Sequence, residues 1–289
     1  MKLTPTCVTC LFSQALRVCR ELRVDDKTTK EVLDRVACSV PEWRFDQTPP
    51  QVAADLYPMI GEILGREDIY ADFKREATRR AERLVPSIAR SIARSDDPFI
   101  AALKGAVAGN VIDLAATETF DLEEEVAKVF DTPFALDDSE KLRERLRHAK
   151  KLLVVGDNAG EHLFDRLMMQ TFKELFPDLW IGYAVRGRPI INDVTIQEAE
   201  DAGIGDVAEI LDSGVDTPGL DLDRANDGFL QVYESSDVVL AKGMGNYESL
   251  NDRSTRPTWF LLKIKCEVVA ASLDGEVGEI ICYKGGDDV

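Results

Sequence analysis

The sequence predicts an α/β protein: a mostly parallel, doubly wound sheet with helices on both faces, preceded by an N-terminal helical subdomain. Three observations carry this. Short apolar runs alternate with helical periodicity from Lys151 onward, the pattern of successive βαβ units. Several of those runs stop at polar clusters, as expected where parallel strands end along one sheet edge. The first third of the chain shows helical spacing and no strand-like run.

Taken in order, Leu11, Ala15, Cys19 and Leu22 recur at helical spacing, and so do Tyr70, Phe73, Ala77, Ala81 and Leu84. Asp96, Asp97 and Pro98 break that pattern, and a helix of small residues is expected over 101–116. The stretch 121–148 is charged, with a turn at 131–133. Strands are expected at 151–156, 179–185, 207–211, 238–242, 267–271 and 279–283. Helices are expected at 161–175, 195–201, 224–234 and 259–265. We place the boundary between a helical cap (1–125) and an α/β domain (126–289) in the charged stretch. No internal repeat or low-complexity segment is evident.

Composition narrows the function. The chain has 289 residues and carries 53 Asp and Glu against 35 Lys and Arg, a net charge of −18. So acidic a surface repels nucleic acid and anionic lipid, and neither is an expected partner. A small anionic substrate stays compatible, because a bound cation inverts the local field. The segment MKLTPTCVTC has no apolar stretch of a secretory signal, and no apolar run reaches the roughly 20 residues of a membrane span. A cytoplasmic location is therefore expected, with the six cysteines free, metal-bound or redox-active. Oligomeric state has no signature in the sequence.

Three clusters close apolar runs: GDN at 156–158, RGRPIINDVT at 186–195 and AKGMGNYE at 241–248. If the runs are parallel strands, Asp157, Asn158, Asp193 and Lys242 converge at one edge. Two carboxylates and an amide carbonyl suit a hard divalent cation, with water and a phosphate completing its shell. Lys242 can offset charge on phosphoryl oxygens. The backbone at Gly243 and Gly245 can approach an anion closely, having no Cβ. Each residue also has a plainer reading. Asn158 with Glu161, and Thr195 with Glu198, read as capping boxes, and Arg186 reads as a surface ion pair. Neither a Walker P-loop nor GxGxxG is present. With only His148 and His162, a multi-histidine zinc site is excluded. His148 reads as solvated.

With these clusters in view, the chain resembles the damage-control phosphatase family, once labelled domain of unknown function 89, in its stand-alone, mostly prokaryotic branch. The resemblance rests on the order and spacing of six strings: CxxC at 7–10, GNxxD at 109–113, GDNAGE at 156–161, RGxPxxNDxT at 186–195, KGxGNxE at 242–248 and LLKxKC at 261–266. It implies divalent-metal-dependent hydrolysis of small phosphorylated metabolites such as sugar phosphates, with manganese, magnesium, cobalt or nickel as cofactor. It implies metal ligation by Asp157, Asn158 and Asp193, with Asp157 and Lys242 catalytic. Phosphate contact is implied for Lys242, and for Asn246 and Glu248. Asn110 and Asp113, three apart on one helix face, are placed near the pocket, and Arg186 is a further substrate-binding candidate. Whether water or an aspartate attacks phosphorus stays open.

Cys7, Cys10 and Cys266 form a possible second metal or redox site, short of the four ligands usual for zinc. Cys19, Cys38 and Cys282 read as core residues. Two other functions compete. One is a non-enzymatic metal-binding or redox-sensing module built on the CxxC. The other, weaker, is an S-adenosylmethionine-dependent methyltransferase, a label some relatives once carried, for which no cofactor motif is present.

Overall fold

The structure is a computed structural model that describes residues 1–111 and 122–285. Helices come first: α1 (Pro5–Glu21), α2 (Asp26–Ser39), α3 (Pro49–Leu64), α4 (Ala71–Arg94), α5 (Pro98–Val111), α6 (Leu122–Asp131) and α7 (Ser139–His148). The body follows as β1 (Lys151–Val155), α8 (His162–Leu175), β2 (Trp180–Val185), α9 (Ile196–Asp201), β3 (Glu209–Asp212), α10 (Asp227–Ser235), β4 (Val238–Lys242), α11 (Gly243–Leu250), β5 (Thr258–Lys263), α12 (Glu267–Leu273) and β6 (Ile280–Gly285). The sheet order is β3-β2-β1-β4-β5-β6. All pairs are parallel except β5–β6. The expected doubly wound, mostly parallel sheet is what the chain forms. Its strand order reverses between β1 and β4, where such folds open a crevice for ligands.

Alternation along each strand feeds two cores. Leu152 and Val154 of β1 join a cluster on one face with α4, α5 and α8 residues such as Ile88, Leu103 and Phe172. Leu153 and Val155 join the other face with Phe229, Tyr247 and Val269 of α10, α11 and α12. Helices α1–α3 enclose a third cluster, which also takes in Ile190 from the segment after β2. Among the described residues no helix is long and apolar enough to cross a membrane.

Two expected elements are exchanged. The segment 259–265 forms β5 with a short tail, not a helix, and 267–271 lies in α12, not a strand. The run Trp259–Leu262 is buried on both sheet faces, and a continuous apolar run of that kind reads alike as buried strand or buried helix. In α12 the spacing of Val269, Ala270 and Leu273 buries one helical face, which outweighs the strand preference of two valines. Helix α10 starts later than expected because Asn226 caps it, accepting from Phe229 N at 2.8 Å. Cys38 is exposed rather than core, whereas Cys19 and Cys282 are buried.

Candidate functional site

The site is built by backbone pairing at the crevice. After β1, the chain runs Gly156-Asp157-Asn158, and the segment after β2 folds back onto it. Val194 N donates to Asp157 O (2.9 Å), Ala159 N donates to Asn192 O (2.8 Å) and Arg186 N donates to Val194 O (3.0 Å). Asn158 and Asp193 face each other as an isolated antiparallel bridge. Asp157, Asn158 and Asp193 thus lie on adjoining backbone although widely separated in sequence. Ile190 anchors the second segment in the cap cluster, and Ile191 takes a left-handed φ of 38°, rare for a β-branched residue.

Asn158 does not cap α8. That helix starts at His162, and its capping position is Glu161, with no side-chain cap bond. The Asn158 amide donates instead to Asp157 Oδ2 (2.8 Å) and Glu161 Oε1 (2.9 Å). His162 Nδ1 accepts from Gly160 N at 2.9 Å and so closes the turn between them. The Thr195–Glu198 capping box does form, with Thr195 N donating to Glu198 Oε2 at 2.9 Å.

Arg186 is no surface ion pair: it and Asp193 are each only 1% exposed. Arg186 Nε donates to Asp193 Oδ2 (2.7 Å), and Nη2 donates to Asn246 Oδ1 (3.1 Å). Lys242 is fully buried. Its ammonium donates to Asp165 Oδ1 (2.6 Å) and to Ala106 O of α5 (2.9 Å). Tyr183 Oη donates to the other Asp165 oxygen at 2.9 Å. Lys242 therefore ties α5 to the sheet beneath the site. Gly243 has φ +77°, and an added Cβ would fall 1.9 Å from Asp157 Oδ2, so the glycine makes room for that carboxylate at the start of α11. At Gly245 the missing Cβ admits Pro218 O, which would lie 2.1 Å from it.

Acidic side chains are concentrated here, and burial opposes their ionisation. Burial pushes the Asp193 carboxyl up to about 8, against Arg186 and together with Asp157. Burial and then Asp157 push Glu161 up to about 7. Burial also raises Asp157, opposed by Lys265, Arg186 and Lys242 in that order. Glu248, on α11, is raised to about 7 by burial, with Asp157 adding to the shift. Among the described residues no three His, Cys, Asp or Glu side chains are arranged to hold a metal by themselves. The donor set in question is two carboxylates and an amide. Among the described residues Asp193 Oδ1, which is buried, has no hydrogen-bond partner, and an orphaned carboxylate oxygen within a cluster of acids fits a small hard cation.

Four participants escaped sequence reasoning. Lys265 is exposed, yet its charge is the leading one favouring ionised Asp157. It sits in the LLKxKC string, and the misassigned helix over 259–265 hid that it follows a strand end. Glu161 was read only as a cap partner. Asp165 and Tyr183 carried no signal beyond helical and strand periodicity. The end of α5 reaches the site, since a Cβ on Gly109 would lie 2.6 Å from Glu161 Cγ. Asp113 and the Asn110 side chain lie outside the described residues. Cys7 is buried on α1, Cys10 is exposed and Cys266 is half-buried; all are free thiols. No metal-holding cluster includes them among the described residues.

A doubly wound sheet that gathers buried acids, an arginine and lysines at its switch point defines an α/β protein with a cluster of ionisable groups at the sheet edge. The chain belongs to the family described as the damage-control phosphatase ARMT1-like domain, whose model matches residues 3–281. It is 32% identical to an uncharacterized protein of Methanocaldococcus jannaschii, over 98% of this chain and 96% of that one. It is also 32% identical to a damage-control phosphatase of Archaeoglobus fulgidus, over 97% and 98%. The crystal structure of a DUF89 family protein from Pyrococcus horikoshii superposes with a TM-score of 0.92 at 28% identity, covering 99% of this chain and all of that one.

Proposed function

We propose that this phosphatase-family protein hydrolyses small phosphorylated metabolites with a divalent cation, manganese, magnesium, cobalt or nickel, held by Asp157, Asn158 and Asp193. The observation that carries the reading is that Asp193 Oδ1 has no hydrogen-bond partner among the described residues, in a residue bridged by its backbone to Asn158 and set among mutually repelling acids. Bound there, the cation supplies positive charge to a phosphoryl group and neutralises its oxygens. The exposed Lys265 is placed to meet the remaining phosphoryl charge, because its ammonium already acts on Asp157 and Glu161. Arg186 Nη1, buried and without a partner among the described residues, offers a further donor. Lys242 acts from beneath: paired with Asp165, it holds α5 and β4 together and lends positive charge to the crevice. Glu248, on α11 and close enough to Asp157 for the two carboxyls to interact, keeps its place as a candidate substrate contact. The acidic exterior favours a small phosphate ester over a polyanion such as nucleic acid.

Asp157→Ala tests this. Phosphate release from an aryl phosphate with each of the four cations is expected to vanish, while circular dichroism stays that of the folded protein. Turnover equal to wild type in that variant would refute the assignment.

A further inference from the structure

We propose that Asn246 is a positioning residue that keeps one oxygen of Asp193 available to a divalent cation by drawing Arg186 away from it; this rests on the cation reading above. An arginine side chain presents Nε and one Nη as a fork that matches both oxygens of a carboxylate. At Asp193 the fork is split. Nε donates to Asp193 Oδ2 at 2.7 Å, but Nη2 donates to Asn246 Oδ1 at 3.1 Å. Asp193 Oδ1 is left buried with no partner among the described residues. A buried acceptor without a partner is unfavourable, and closing the fork on Asp193 would relieve it.

Asn246 prevents that closure because its own orientation is fixed from every side. It is fully buried. Its Oδ1 also accepts from Leu220 N at 2.8 Å, and its Nδ2 donates to Gly156 O at 3.0 Å and Lys242 O at 2.6 Å. The two donors and the acceptor of the amide are thereby all used. Turning the amide over would set its NH₂ against two N–H donors and its oxygen against two carbonyls. The acceptor facing Arg186 is therefore permanent. Its hold on Nη2 leaves Asp193 bound by one hydrogen bond and open at Oδ1. Asn246 touches neither cation nor substrate in this scheme; it acts through Arg186.

The test combines structure and binding. In metal-free crystals of Asn246→Ala, Arg186 Nε and Nη2 are both expected on the Asp193 carboxylate. Manganese affinity, read by isothermal titration or electron paramagnetic resonance, is expected to fall roughly 10- to 100-fold, the usual range for a lost outer-shell partner. Adding Arg186→Met to that variant removes the competing fork and is expected to restore binding, which a purely structural role for Asn246 would not allow. Circular dichroism and Tm of the alanine variant guard against a folding defect, and Arg186→Met alone, with Asn246 in place, is expected to bind manganese as the double variant does because the fork that Asn246 restrains is gone. An unmoved Nη2 in the alanine crystals, no rescue by Arg186→Met, or a single Arg186→Met variant that binds as weakly as Asn246→Ala would each overturn the proposal. A closed fork in the variant, with wild-type protein that binds no manganese, would instead overturn the cation reading and uphold the steering of Arg186.

Discussion

Alanine at Gly243 probes the junction of β4, α11 and Asp157 with one methyl group. The new Cβ would lie 1.9 Å from Asp157 Oδ2, 2.1 Å from Cγ and 2.7 Å from Oδ1. The carboxylate must retreat by about 1 Å or more to reach even a tight contact. The backbone there also has φ +77°, a conformation that costs an L-residue about 1–2 kcal/mol. Gly65 separates the two effects: its φ is +64° and nothing lies within 4 Å of an added Cβ. Gly65→Ala is expected to lower Tm by about 2–4 °C per kcal/mol of strain and to leave phosphate release unchanged. Gly243→Ala is expected to lose more in Tm and, with Asp157 displaced, about 100-fold in metal-dependent turnover. Differential scanning calorimetry and an aryl phosphate assay read the two outcomes. If Gly243→Ala matched Gly65→Ala in both assays, the packing of Asp157 against α11 would be refuted, along with its place in the site.

Lys265→Ala is expected to reduce kcat/KM for a phosphomonoester roughly 10- to 100-fold, the range of a charged hydrogen bond. Its Tm should stay near wild type because the side chain is exposed; unchanged kinetics would remove Lys265 from the site. Lys74 joins Asp68 and Glu198, each at 2.7 Å, where α4 meets the start of α9. Burial favours a raised Glu198 carboxyl, but the bonds from Lys74 and Thr195 win and hold it below its ordinary value. That stability is present above the unfolded pKa of about 4.3 and is lost as pH falls through the lower folded value. The stability gap between wild type and Lys74→Met, from urea unfolding, should therefore be full at neutral pH and narrow on acidification below about pH 4.3. A gap that held constant or widened would contradict the pairing.

What could be read from sequence was whatever local pattern decides. The polar stops after β1 and β4 announced the crevice, because a strand that ends on Gly156-Asp157-Asn158 can only deliver those residues at the sheet edge. The Thr195–Glu198 box was legible because its bonds close within one helical turn. Asn158–Glu161 has the same spacing yet forms no cap, since a further turn, closed by His162, delays the helix. The swap of β5 and α12 has the same origin: burial on both sheet faces is a tertiary fact that leaves no period in Trp259–Leu262. Lys242 shows the limit most sharply. A lysine at a strand end reads as a phosphate ligand, and only the fold reveals Asp165, from the far side of α8's first turn, already holding its ammonium.

The chemistry of the crevice and its stability pull in opposite directions, and the topology reconciles them. Asp157, Glu161 and Asp193 repel one another in a buried setting, an arrangement that would relax if its supports were soft. Each support belongs to a different element. Asp157 is fixed by Val194 on the folded-back segment, Asp193 by Arg186 at the end of β2, and Arg186 by Asn246 on α11. Lys242, at the end of β4, ties α5 to the sheet. No single element can move without breaking bonds to at least one other, so the repulsion is held rather than dissipated. On the cation reading proposed above, a cation entering the site would meet ligands that need little reorganisation, and the attraction gained would not be lost again in bringing the carboxylates together. The switch point of a doubly wound sheet is suited to this because β1 and β4 lie side by side there while their following segments diverge to opposite faces. The acids can then be anchored from both layers of helices at once.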